Sequence, residues 1–252
     1  MSKTIAITGK GGTGKTTISA LMIRYLRERK EGPILAIDAD PDSNLGSLLG
    51  ITVPDTIGDL REDLMKNLEK LPSGMSKQDY FAAGLNQIII EHDQFDFLAM
   101  GRSEGPGCYC MINNLLRKFA VDLTPSYKWV VMDNEAGMEH LSRRTSADVE
   151  ALIAVVNENP LTLECARRIN TLSKNIPNSV KRRYYLINGV GEDRIDAARK
   201  RAESLEMQYL GYIPYDKELN EMSFKGESVL NLGESPAVQA IKKIMDQIRG
   251  EE

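Results

Sequence analysis

Gly9-Lys10-Gly11-Gly12-Thr13-Gly14-Lys15-Thr16-Thr17 follows directly on the apolar run Thr4-Ile5-Ala6-Ile7-Thr8 and leads into an amphipathic stretch from Thr16 to Arg29. The nine residues match G-x-x-x-x-G-K-[ST], and they stand where that motif works, between a strand and the start of a helix. Glycines let the backbone come close enough for its N–H groups to point at phosphate oxygens, and the helix N-terminus adds the positive end of its dipole. On this reading Gly11, Gly12, Thr13, Gly14, Lys15, Thr16 and Thr17 form the phosphate cradle. Lys15 reaches the β and γ phosphates, and Thr16 ligates Mg²⁺ through its hydroxyl.

Outward from this stretch, short apolar runs alternate with helical patterns. Ile34 to Ile37, Phe95 to Ala99, Trp129 to Met132, Leu152 to Val156, Tyr184 to Ile187 and Met207 to Ile213 read as further strands, most of them buried on both faces. Amphipathic segments such as Leu161 to Lys174 and Arg194 to Leu205 lie between them. The expectation is an α/β fold, a doubly wound and mostly parallel sheet of about seven strands with helices on both faces. Residues 55–92 interrupt the alternation with two helical patterns, Thr56 to Leu71 and Ser76 to Ile90, and read as a strandless helical insertion. Without a linker, repeat or low-complexity segment, residues 1–252 are expected to form one ATPase domain.

Composition narrows the function classes. Hydrophobic residues make 42% and charged residues 27% of the chain, the balance of a soluble globular protein. A net charge of -4 argues against nucleic-acid binding through a broad cationic face. No apolar run is long enough to span a membrane, and Met1-Ser2-Lys3 enters the first strand without a signal-peptide core, so a cytoplasmic location is expected. The amphipathic segment from Ala237 to Arg249 fits either a last helix packed on the sheet or one lying on a membrane surface.

Two lysines distinguish the loop. Lys10, early in the motif, resembles the signature lysine of the deviant Walker A ATPases of the MinD and iron-protein type. The resemblance implies a nucleotide-bridged homodimer in which Lys10 reaches the partner's ATP, an arginine-finger role in trans. It also marks Asp38-Ala39-Asp40-Pro41-Asp42 as a first switch, with Asp40 positioning the attacking water and Asp38 nearby. From the residues alone, these acids also fit a surface turn that caps the segment from Ser43 to Leu45. By the same resemblance Asp133 holds Mg²⁺ through a water, Gly137 donates its amide to the γ-phosphate in a second switch, and Asn188 and Pro214 contact adenine.

Gly105-Pro106-Gly107-Cys108-Tyr109-Cys110 holds two of the three cysteines. Thiols two residues apart can face the same way, but two thiolates are an incomplete site for Zn²⁺ or Ni²⁺. A two-fold axis through the loop would complete a four-sulfur set; small buried residues or a vicinal redox pair fit the spacing as well. Cys165, inside an amphipathic helix, reads as a core residue.

Together with Gly101-Arg102 and the run from Asp133 to Arg144, this loop resembles the CooC family of nickel-insertion ATPases and relatives serving acetyl-CoA synthase. The resemblance implies metal binding by Cys108 and Cys110 between subunits, with ATP turnover coupled to nickel delivery to a carbon monoxide dehydrogenase or acetyl-CoA synthase client. An iron–sulfur reductase of the nitrogenase iron-protein type would need a second cysteine just after the second switch; that region, Gly137 to Arg143, has none, and its His140 reads as structural. A positioning ATPase of the MinD or ParA type would use the same nucleotide machinery and leave the cysteine pair unexplained.

Overall fold

The computed structural model describes residues 2–67, 74, 76–102, 123–135, 149–175 and 180–250. Cys108, Cys110, Gly137 and His140 lie outside the described residues. Among the described residues, eight strands form one sheet in the order β3-β4-β2-β5-β1-β6-β7-β8. They are β1 (Lys3–Gly9), β2 (Ile34–Ala39), β3 (Ile90–His92), β4 (Phe95–Ala99), β5 (Trp129–Asn134), β6 (Val149–Val156), β7 (Val180–Asn188) and β8 (Gln208–Ile213). All neighbours pair in parallel except β3, which is antiparallel to β4.

Alternation along each strand sends side chains to both faces of the sheet, and the buried residues form three clusters, one of them around Ala154, Val156, Tyr185 and Ile187. Ile5, Ile7, Ile34, Ala36, Trp129 and Val131 face one side, where they meet α1 (Lys15–Glu28) and the last helix, while Ala6, Leu35, Ile37, Val130 and Met132 face the other. The second side is covered by the helices α3 (Ile57–Asn67) and α4 (Lys77–Ile88), which contribute Ile57, Leu64, Phe81 and Leu85. Short α2 (Leu45–Leu49) follows β2. Beyond β6 come α5 (Pro160–Lys174), α6 (Ile195–Ala202), α7 (Lys217–Lys225) and α8 (Pro236–Arg249). A doubly wound sheet places every β-to-α turn at its C-terminal edge, and ligands of such folds bind there.

One expectation changes and one alternative is decided. The segment read as a strandless insertion ends in a strand: α4 stops at Ile88, Ile89 is extended (φ −68°, ψ 124°), and β3 turns back on β4 through Asp93 and Gln94. Ile88-Ile89-Ile90 is a β-branched run whose stiff side chains crowd a helix and suit a strand. The terminal helix α8 resolves the other alternative. It buries Ala237, Val238, Ile241, Ile244, Met245 and Ile248 against the core, so its apolar face is already used. No described helix is long and apolar enough to cross a membrane.

Candidate nucleotide site

β1 carries the chain to Gly9, and α1 begins at Lys15. The turn between them is tied by Thr13, whose N–H and hydroxyl both donate to the Lys10 carbonyl, at 3.3 and 2.8 Å. Gly14 at the helix start is left-handed (φ +87°), and a Cβ there would lie 2.3 Å from Nδ2 of Asn188. That close approach is used: Asn188 Nδ2 donates to the Thr13 carbonyl at 2.8 Å, pinning the loop to the end of β7. Side chains at Gly11 and Gly12 would meet nothing within 4 Å among the described residues, which leave the outer face of the loop open. Lys15 is buried, whereas Lys10 is only half-buried.

β5 and β2 bring their acids to the same edge. Asp38 and Asp133 are register neighbours, and both are 0% exposed. Asp133 Oδ1 accepts from the Ser19 hydroxyl at 3.1 Å, and Oδ2 is buried without a partner among the described residues. Burial pushes the Asp133 carboxyl up to about 6; the hydroxyls of Thr16 and Ser19 and the Lys15 charge pull the other way. Asp38 is pushed up to about 7, first by burial and then by the Asp133 and Asp40 charges, against the backbone N–H groups of Leu45 and Asp40. Those N–H groups donate to its carboxylate at 2.8 and 3.2 Å. Asp38 therefore caps the start of α2, as the capping alternative had it, but from a buried position, while Asp42 lies in an exposed turn. Asp40 stays half-buried, accepting from Asp42 N–H at 3.1 Å.

A cavity of about 240 Å³ lies beside the loop, between Gly12, Gly14, Ile18 and Leu21 on one side and Asn188, Pro214 and α7 on the other. Asp216 builds its far wall, capping α7 through Leu219 N–H and holding Ala237 N–H of α8, both at 3.1 Å. Burial alone would raise the Asp216 carboxyl; its hydrogen bonds keep it below the usual range.

The structure thus brings together Lys10, Gly11 to Thr17, Asp38, Asp40, Asp133, Asn188 and Pro214 at one sheet edge. Three contributors escaped the sequence reading: Ser19, one helical turn beyond Thr16, and Leu219 and Asn220 of α7. The three-residue step from Thr16 to Ser19 on an amphipathic helix, and Asp216 as a cap before Lys217, were the available signals. Cys165 is half-buried at the edge of the core with its thiol pushed up by burial, the place expected for it.

The donor set fits magnesium and a nucleotide. Asp133 offers an unpartnered buried oxygen beside Thr16, and the open glycine face suits phosphate. Among the described residues no group of three or more His, Cys, Asp or Glu could hold a metal, so Mg²⁺ here would draw most of its ligands from phosphate and water.

A strand, a glycine loop and a helix at this edge, backed by a buried acid on the neighbouring strand, define a P-loop nucleotide-binding protein. Residues 4–229 match the family described as the CobQ/CobB/MinD/ParA nucleotide binding domain. The chain belongs to that family and is a P-loop ATPase of the MinD/ParA type. It is 40% identical to the uncharacterized ATP-binding protein MJ0685 of Methanocaldococcus jannaschii over 97% of both chains. It is 31% identical to the carbon monoxide dehydrogenase accessory protein CooC of Rhodospirillum rubrum, over 92% of this chain and 90% of that one. The cell division ATPase MinD of Pyrococcus furiosus shares the fold, with a TM-score of 0.71 at 19% identity over the whole of both chains.

Proposed function

We propose that the protein is an ATP-driven nickel-insertion factor acting on a carbon monoxide dehydrogenase or acetyl-CoA synthase. The observation that carries the nucleotide half is the buried, half-partnered Asp133 beside Thr16, at the foot of an open phosphate loop. The nickel half is supported by the likeness to CooC and by the Cys108-Tyr109-Cys110 sequence.

In this reading the amides of Gly11 to Thr16 and the Lys15 ammonium bind the β and γ phosphates. Asn188 and Pro214 border the base. Mg²⁺, held by the Thr16 hydroxyl and through water by Asp133, would neutralise charge developing on the phosphates. Asp40 orients the attacking water. Two protomers close around two nucleotides, and Lys10 of one protomer reaches the phosphates held by the other. Cys108 and Cys110 of both protomers then form a four-thiolate site for nickel, or zinc at rest, whose affinity differs between nucleotide states; Gly137 of the second switch links the two events. That difference in affinity is what nucleotide can use to load or release the ion.

Anaerobic metal analysis after nickel equilibration, with and without nucleotide, tests the proposal alongside the mass in solution. One nickel ion per two chains, altered by ATP and lost in Cys108→Ser/Cys110→Ser, is expected. Stoichiometric iron and sulfide would instead make the protein a reductase, and a metal-free dimer would make it a nucleotide switch.

A further inference from the structure

The helical insertion packs its apolar side chains on the sheet and is also tied to the nucleotide edge by backbone hydrogen bonds. The amide of Met100, the residue after β4, donates to the Asp38 carbonyl at 2.8 Å, and the Met100 carbonyl accepts from Gly58 N–H, in the first turn of α3, at 3.0 Å. One residue, Met100, therefore joins the strand end that carries Asp38 to the start of the insertion. The joint has no slack. A Cβ on Gly58 would lie 2.4 Å from the Arg102 carbonyl oxygen, and one on Gly101 (φ +64°) would lie 2.2 Å from Oγ1 of Thr56. Thr56 is itself fixed by a reciprocal cap, its Oγ1 accepting from Asp59 N–H at 3.2 Å while Asp59 Oδ2 accepts from Thr56 N–H at 2.9 Å.

Contacts of this kind pass displacement on. A flexible side chain can absorb a shift by changing rotamer, but two backbones in direct contact cannot, and close-packed interiors transmit strain. At the other end of the run, the Asp38 carboxylate holds the N–H groups of both Asp40 and Leu45. A movement of Asp40 therefore pulls on Asp38, Met100 and Gly58 in turn. Glycine is a poor choice for a helical turn unless the space is needed, and here the Arg102 carbonyl takes it.

We infer that Gly58 is a positioning residue for hydrolysis: through Met100 it sets where the Asp38–Asp40 segment stands. Conversely, the start of α3 reports which nucleotide is bound. This rests on the reading that Asp40 orients the attacking water.

The test uses the full chain. Gly58→Ala adds one methyl group at a position where alanine favours the helix, so its effect comes from displacing Arg102. A misplacement of about an ångström at a catalytic site costs on the order of 10²-fold. The expected result is a fall in kcat for ATP hydrolysis of about 10-fold or more, with KM within about 2-fold of wild type. Thr56→Ser keeps the cap hydroxyl and should retain wild-type kcat. In the wild-type protein, hydrogen exchange of peptides covering residues 55–67 should differ between the ADP state and a non-hydrolysable ATP analogue. In Gly58→Ala the difference should vanish.

Unchanged kcat in a folded Gly58→Ala protein would overturn the inference, and so would exchange over 55–67 that ignores nucleotide in wild type. The exchange measurement decides the matter if Gly58→Ala does not fold. Failure to bind nucleotide at all would overturn the ATPase reading together with the inference, whereas binding with an unresponsive α3 overturns the inference alone.

Discussion

At the C-terminal edge of the sheet Asp38 and Asp133 are wholly buried with each other and Asp40 as charged neighbours, whereas at the opposite edge Glu31 lies between two cations. Lys128 Nζ is 2.6 Å and Arg249 Nη2 2.8 Å from the Glu31 carboxylate. The hydrogen bond from Lys128 holds Glu31 below the usual carboxylate range, helped by the Arg249 charge against a burial that would raise it. One edge is therefore built for stability and the other at its expense. Buried acids with more negative than positive neighbours are costly to ionise, and such clusters mark functional sites.

The contrast can be broken most severely on the nucleotide side. Lys10→Ala should lower ATP turnover by about 10³-fold or more, the scale of a charge delivered in trans, while leaving the melting temperature unchanged because the side chain is half in solvent. Steady-state hydrolysis and calorimetry on one preparation would check both halves.

Next in size is the response to pH, opposite in sign at the two edges. The Asp38 carboxyl is raised from 3.8 to about 7, so the stability its proton confers is complete below 3.8 and is lost as pH rises through about 7. Glu31 is lowered from 4.5, so its contribution is present above that value and is lost as pH falls below it. In EDTA the protein should lose on the order of 2–4 kcal/mol between pH 5 and 8, with Asp38→Asn flattening the slope. Denaturant titrations across that range would show it, and a stability that rises with pH would contradict the assignment. Mg²⁺ with ADP should flatten the wild-type slope by supplying the missing cation.

At the stable edge, Arg249→Met removes one partner of Glu31 and should cost about 1–3 kcal/mol without changing ATP turnover. Smallest of all, Lys66→Ala breaks the exposed pair with Glu62 on α3 and should move stability by less than about 0.5 kcal/mol. A larger effect there would mean that the insertion is held by its surface charges rather than by the Gly58 joint.

The nucleotide edge was largely legible in the sequence, because its chemistry is local. Nine consecutive residues specify the loop, and apolar runs on both sides specify the strand and helix that frame it. Asp133 and Asp38 could be placed because each follows an apolar run with no polar interruption, one residue before its strand ends. Their adjacency could not be derived from pattern alone, since the register of β2 on β5 is a matter of tertiary pairing. The short strand β3 was missed for another reason. Its turn holds Gln94 at φ +67° without the glycine or asparagine that announces a hairpin, and the isoleucines before it continue a helical apolar pattern. The wall formed by α7 was missed because its link to the site runs through Asp216 and the end of α8, far away in the chain.

The strand that begins the chain is also the strand that must wait longest. β1 lies between β5 and β6, pairing Lys3 with Trp129 and Gly9 with Val155. On the ribosome, neither flank exists until the chain has grown past Trp129. At about 5–20 residues per second, some 7–30 s separate the synthesis of the phosphate loop from that of the strand that closes it. During that interval an apolar strand and a glycine turn have no sheet to join, so fragments ending before Val149 are expected to be held by chaperones or degraded.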